Sequence, residues 1–182
     1  TFASTTAGEG TQPLRISGVL NVPTGRGPFP AVVLAHGYID PAVYVNGQGM
    51  TRERAWFGDN GYDALLVDYR GHATSDPDRS GGLDMRMGYT EDVLAAVLAL
   101  RAWDGPVDDE RVALVGRSMG GGVVYNALTA RPGLVDAGVV FAPVSVVSTG
   151  VDVTAESISS AAVPAERKPR EMPPPSASRR AA

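Results

Sequence analysis

Apolar and polar positions along residues 14–143 follow two periods, which predict strands and helices in alternation. The segment 14–23 alternates apolar and polar residues, as is typical of a half-buried strand. Near-continuous apolar runs predict strands buried on both faces over 29–37, 63–71, 111–116 and 135–143. Helical spacing predicts helices over 51–61, 89–103 and 119–133.

The helix over 89–103 has the clearest start signal. Thr90 is its predicted N-cap, and the acidic Glu91 and Asp92 suit the positive end of the helix dipole. Because strands alternate with helices, the sequence predicts an α/β fold with a mostly parallel, doubly wound sheet. Right-handed crossover connections then fix most of the topology.

The composition narrows the classes of function. A length of 182 residues suffices for one domain with a substantial core, or for one domain and a tail. The formal net charge of −4 argues against nucleic acid as the main partner, because phosphate binding needs a basic surface. The absence of cysteine excludes disulfides and cysteine nucleophiles. No apolar run reaches the roughly 18 residues of a membrane span.

The chain is expected to divide into three parts. Residues 1–13 form a small-residue polar leader that does not resemble a signal peptide, and residues 14–147 carry the folded domain. Residues 148–182 contain no aromatic residue and too few large apolar residues to offset the entropy of ordering them. We therefore predict a disordered tail over 148–182 and a sheet that stops after the strand at about 137–142.

One glycine-rich motif lies at the end of a predicted strand and opens a predicted helix. Gly116-Arg117-Ser118-Met119-Gly120 matches G-x-S-x-G, the nucleophile elbow, in which a sharp turn exposes a serine hydroxyl above the sheet. Glycine is needed beside the serine because side chains there would collide with the strand and the helix. A tight turn with a bystander serine remains an alternative, as does a phosphate-binding loop, although neither G-x-G-x-x-G nor G-x-x-x-x-G-K-[ST] is matched.

A second motif, "LAHGYID" at 34–40, ends an earlier buried strand. Acyl transfer needs two N–H donors for the developing oxyanion, one of them from the residue after the nucleophile. Met119 is the candidate for the first donor, and Tyr38 is the candidate for the second. In the alternative interpretation, Gly37 only terminates the strand and His36 is structural.

These stretches together resemble a known family. "FPAVVLAHGY", "GYDALLVDYRGHATSD", "VDDERVALVGRSMGGGVVYNAL" and "VDAGVVFAPVS" are similar to α/β-hydrolases of the prolyl oligopeptidase-like and dienelactone hydrolase-like group, over about residues 14–147. The resemblance implies an α/β-hydrolase sheet and a serine that attacks small ester or peptide substrates. It makes Ser118 the nucleophile, gives Met119 and Tyr38 the oxyanion hole, and implies no metal or organic cofactor.

The sequence departs from that family in its catalytic base. The fold orders its triad as serine, acid and then histidine, but both histidines, His36 and His72, precede Ser118. Either histidine remains an alternative base by distance, because strand spacing would place His36 about 4.8 Å from the serine strand and His72 roughly 10 Å from it. The resemblance instead makes both histidines structural or lining residues. Asp152 is an alternative acid, and Asp68 is expected to support local hydrogen bonding.

Three functional hypotheses follow from this mismatch. The first is a serine hydrolase whose activity is impaired, because a serine without a base is a poor nucleophile and only about 10³–10⁴-fold catalysis over water remains. The second is a non-catalytic binding or scaffold protein on a decayed hydrolase fold, and the third is a flavodoxin-like nucleotide binder. In each case the strand at 137–142 leaves an exposed apolar edge, through which self-association is expected.

Overall fold

A computed structural model describes residues 1–5, 12–77 and 87–144. The predicted tail over 148–182 and Asp152 lie outside the described residues. The strands are β1 (Phe2–Ala3), β2 (Arg15–Ile16), β3 (Gly18–Asn21), β4 (Phe29–Ala35), β5 (Asp63–Val67), β6 (Val107–Arg117) and β7 (Ala137–Phe141). The helices are α1 (Thr51–Asp59), α2 (Met87–Arg101) and α3 (Met119–Ala130). Within these described ranges, every helix is too short or too polar to span a bilayer.

The main sheet is mostly parallel, as the alternating pattern predicts. Its strand order is β3-β5-β4-β6-β7, with β4, β5, β6 and β7 parallel to one another and β3 antiparallel to β5. The connection through α2 carries the chain from β5 past β4 to β6. The predicted α/β-hydrolase type of sheet is therefore confirmed, with β4 and β6 at its centre.

Strand β4 explains why its sequence is apolar at nearly every position. Val33 and Ala35 face a core that also contains the buried sides of α2 and α3. Val32 and Leu34 face a second core on the opposite side of the sheet, where Phe57 of α1 packs. Each fully buried valine or leucine contributes about 1.5–3 kcal/mol relative to an exposed one, so both faces hold β4 firmly in place.

Three local details differ from the sequence predictions. Helix α2 begins at Met87, so Thr90 lies inside it, and the prediction that Thr90 is the N-cap is wrong. The strand predicted over 14–23 is interrupted at Ser17, whose backbone N–H donates to Ser75 Oγ instead of to a neighbouring strand. The two-residue strand β1 pairs with β2 through Phe2 and Ile16, and a strand this short leaves no periodic signal in the sequence.

Strand β7 has no second neighbour among the described residues, where it pairs only with β6. Val139 is 53% exposed and Phe141 is 67% exposed. An apolar edge of this kind offers unpaired backbone groups to another strand. Self-association through this edge stays a prediction.

Candidate active site

Ser118 occupies a sharp turn between β6 and α3. Its backbone angles are φ 55° and ψ −122°, in the left-handed half of conformational space that side chains rarely adopt. The Ser118 N–H donates to the carbonyl oxygen of Phe141 at 2.9 Å, and the Ser118 carbonyl accepts from the N–H groups of Gly121 at 2.9 Å and Val144 at 3.1 Å. The strained turn is thus held both by the helix that follows it and by the end of β7.

The glycines of the motif are required by close backbone contacts. A Cβ atom on Gly116 would lie 2.2 Å from the carbonyl oxygen of Gly120. A Cβ atom on Gly120 would lie 2.0 Å from the carbonyl oxygen of Ala35. Side chains at these positions would push α3 away from β6 and β4, which is the steric reason that the motif suggested.

The turn lies where the sheet topology places a crevice. Strands β4 and β6 are adjacent, but α1 follows β4 on one face of the sheet and α3 follows β6 on the other. Such a switch point opens a crevice at the carboxyl ends of the two strands, where open α/β sheets bind ligands. Gly37, just after β4, approaches the serine so closely that a Cβ atom on it would lie 3.3 Å from Ser118 Cβ and 3.9 Å from Ser118 Oγ.

The structure brings the three predicted site residues to this crevice. Ser118 is half-buried, Met119 is the first residue of α3, and Tyr38 follows Gly37 with 58% of its surface exposed. Tyr38 follows the end of β4 and Met119 follows the end of β6, so both residues lie at the ends of the two central strands, as Ser118 does. This arrangement is compatible with an oxyanion hole.

Both histidines lie in a buried aromatic cluster. The Nδ1 atom of His36 lies 2.6 Å from the Gly37 carbonyl, which can only accept, so Nδ1 carries the proton and Nε2 has no partner among the described residues. His72 faces the carbonyls of Arg70 at 3.1 Å and Ile39 at 3.3 Å. In the described part of the chain, no hydrogen bond joins Ser118 Oγ to either ring. The cluster is His36, Tyr44, Tyr69, His72 and Tyr89.

Burial governs the protonation of His36. Its side chain is fully buried, and this desolvation lowers its pKa to about 4. The hydrogen bond to Gly37 and the charge of Asp68 oppose the change, whereas His72 adds to it. His36 is therefore neutral at neutral pH and packs as a polar aromatic ring.

We expect the free energy of unfolding to fall as the pH drops from about 6.5 to about 4. In that range the unfolded chain binds a proton at His36 while the folded chain does not, so each pH unit costs up to about 1.4 kcal/mol. Urea unfolding at several pH values measures the slope, and His36→Phe, which keeps a ring against Tyr44 and Tyr69, serves as the control. Equal slopes for the two proteins would contradict the prediction.

Two residues to which the motifs gave no role at the site bind the loop between β4 and α1, residues 36–50. Asp68, directly after β5, is fully buried and accepts hydrogen bonds from four groups. Arg117, in the motif itself, donates to the carbonyl of Gly49 at 3.0 Å and lies 3.8 Å from the carboxylate of Glu53. A carboxylate at the end of a buried strand indicates that nearby donors bind it. The sequence does not show which donors these are, because they lie some 20 or more residues away.

The crevice has no built metal site in the part of the chain that the structure describes. No group of three or more histidine, aspartate or glutamate side chains there could hold an ion.

The comparisons with known proteins agree with this geometry. Residues 27–180 match the family described as serine aminopeptidase, S33. No curated protein matches the chain. Among solved structures, an α/β-hydrolase named GrgF from Penicillium sp. sh18 is 27% identical with a TM-score of 0.59, over 79% of this chain and 45% of its own length.

Two peptidases have similar folds. A puromycin-hydrolyzing peptidase from Mycobacterium tuberculosis is 25% identical with a TM-score of 0.53, over 78% of this chain and 22% of that one. The acylaminoacyl peptidase of Pyrococcus horikoshii is 23% identical with a TM-score of 0.56, over 75% of this chain and 21% of that one, and it shows the fold alone. The chain thus spans less than half the length of each of these proteins.

Proposed function

This chain belongs to the serine aminopeptidase S33 family, and we propose that Ser118 is the nucleophile of a serine hydrolase acting on small ester or peptide substrates. The observation that carries the proposal is the strained conformation of Ser118 at the crevice between β4 and β6. A non-glycine residue with this backbone geometry persists only where its surroundings enforce it, and such strain concentrates at functional sites.

The chemistry follows from the groups around the serine. Ser118 Oγ attacks the substrate carbonyl carbon, and the carbonyl oxygen becomes an oxyanion that the N–H groups of Tyr38 and Met119 stabilise. The N-terminus of α3 adds a favourable dipole at the same place. The bond to the leaving group then breaks, the leaving oxygen or nitrogen takes a proton from water, and an alcohol or amine departs. A second water hydrolyses the remaining acyl-serine to the free acid and the serine hydroxyl.

The serine proton has no protein acceptor among the described residues, and the pKa of His36, lowered to about 4, makes that histidine a weak base. Water and hydroxide are the acceptors that remain for it beside these described residues, and we propose that acylation is slow. An oxyanion hole and substrate binding alone give about 10³–10⁴-fold catalysis over the uncatalysed reaction.

A second candidate function is favoured by the lack of a proton acceptor for Ser118 among the described residues. If no base serves Ser118, the crevice binds a ligand without cleaving it, as a binding or scaffold protein on a hydrolase fold would. The two candidates differ in whether the Ser118 hydroxyl forms a covalent bond with an electrophile.

The test is covalent labelling by a fluorophosphonate probe. We expect the probe to modify the wild-type protein at one site, which peptide mass spectrometry assigns to Ser118, and we expect Ser118→Ala to abolish that labelling. Ser75→Ala, which removes another serine hydroxyl outside the crevice, is the matched control and is expected to label as the wild type does. Labelling that persists in Ser118→Ala, or a wild-type protein that resists the probe, would leave only the binding function.

A further inference from the structure

We propose that Asp68 is a positioning residue that holds the loop between β4 and α1 so that the Tyr38 N–H reaches the oxyanion; this inference rests on the proposed function. The Asp68 side chain is fully buried and accepts from Ser17 Oγ at 2.6 Å, Tyr44 Oη at 2.7 Å and the Gly47 N–H at 2.9 Å. A fourth donor is the side-chain amide of Asn46. Four donors satisfy a carboxylate that would otherwise be very costly to bury.

Three of these four donors belong to one short segment of the loop, residues 44–47. The segment lies far from β5 in sequence but is bound to its carboxyl end through this single side chain. A charged acceptor forms hydrogen bonds roughly twice as strong as a neutral one. Asp68 is therefore the main attachment of the second half of the loop to the sheet.

The second half of the loop in turn supports the first half, which carries Tyr38. The ring of Tyr44 stacks on the ring of His36 with a centroid distance of 4.8 Å and an interplanar angle of 21°. Gly49 lies so close to His36 that a Cβ atom on it would be 2.7 Å from His36 Cβ. The loop thus closes on its own start, directly beside the Gly37–Tyr38 peptide.

Other contacts fix the remaining points of the loop. The Tyr69 hydroxyl donates to the His36 carbonyl at 3.0 Å, and Arg117 donates to the Gly49 carbonyl. Arg117 precedes Ser118, so the elbow and the end of the loop are bound to each other. Tyr44 connects the Asp68 carboxylate to the ring of His36. Loss of the carboxylate is therefore expected to loosen residues 44–47 first, and then Tyr38, which lies two residues after His36.

Misplacement of a catalytic group by about 1 Å can cost about 10²-fold in rate. We therefore expect Asp68→Asn to slow fluorophosphonate labelling of Ser118 by about 10- to 100-fold at equal folded fraction. The carboxamide of that variant places an extra donor among four donors and can prevent folding, so a milder pair of variants tests the same contacts.

The milder pair consists of Tyr44→Phe and Ser17→Ala. Each variant removes one hydroxyl donor from the same carboxylate, but Tyr44 belongs to the loop and Ser17 lies between β2 and β3. Tyr44→Phe is expected to slow labelling by about 5- to 10-fold, and Ser17→Ala by less than about threefold. Hydrogen exchange of peptides covering 36–50 is expected to accelerate in Tyr44→Phe and not in Ser17→Ala, relative to peptides of β4 and β6.

The outcomes separate this proposal from the proposed function. A wild-type protein that resists labelling overturns the proposed function, and exchange of 36–50 then still decides whether Asp68 holds the loop. A wild-type protein that labels normally, together with equal labelling and exchange in Tyr44→Phe and Ser17→Ala, overturns the positioning role alone. Faster exchange without slower labelling also overturns it, because the loop would then move without affecting the serine.

Discussion

Gly120→Ala is expected to lower the free energy of unfolding by about 3 kcal/mol or more. The added Cβ would lie 2.0 Å from the carbonyl oxygen of Ala35 and 2.5 Å from that of His36, and both are backbone atoms of a central strand end. In an open helix the same substitution would be favourable by about 1 kcal/mol, since alanine is a better helix former than glycine. Here the steric term dominates, because neither β4 nor α3 can shift without breaking core contacts.

Urea unfolding followed by circular dichroism measures this change. Gly58→Ala is the matched control, because Gly58 also lies in a helix but the nearest atoms to its added Cβ belong to the Asn21 side chain, at 3.2 Å or more. That variant is expected to change the free energy of unfolding by no more than about 1 kcal/mol in either direction. Equal losses of stability in the two variants would contradict this explanation, because the loss in Gly120→Ala would then not come from the close contact between α3 and β4.

The elbow was predictable because its requirements are local. A strand end, a rarely adopted backbone conformation and the close approach of Gly116 to Gly120 fall within Gly116–Gly120, so one short stretch of sequence indicates them, and only the contact of Gly120 with Ala35 reaches another strand. Strand β4 was predictable for a similar reason, since burial on both faces leaves a continuous apolar run. In both cases the residues that carry the sequence pattern are themselves the ones that pack closely in the structure.

Other features depend on contacts between distant segments and left no such pattern. The four donors to Asp68 come from residues 17 to 47, and nothing in their spacing indicates a common acceptor. Thr90 resembled an N-cap, but Asp92 two residues later is engaged by Arg70 inside the helix. These hydrogen bonds pair α2 with the end of β5, and the residue pattern around Thr90 does not indicate that contact.

Arg70→Met is expected to lower the free energy of unfolding by about 3–5 kcal/mol, because it leaves a buried carboxylate without its counter-charge. The side chains of Arg70 and Asp92 are 3% and 0% exposed, and Arg70 Nη2 lies 2.9 Å from Asp92 Oδ1. Arg70 Nη2 also lies 2.9 Å from the half-exposed Glu91. Gly88 provides the space, since a Cβ atom on it would lie 2.4 Å from the guanidinium.

Denaturant unfolding of two further variants separates burial from charge pairing as such. Arg111→Met breaks the 2.6 Å ion pair of Arg111 with Asp108, in which the arginine is 61% exposed, and it is expected to cost no more than about 1 kcal/mol. The double variant Arg70→Met/Asp92→Leu removes both buried charges and is expected to recover a large part of the stability that Arg70→Met loses. A double variant no more stable than Arg70→Met would contradict this account, because the cost would then lie in the packing and hydrogen bonds of the pair and not in the unpaired carboxylate.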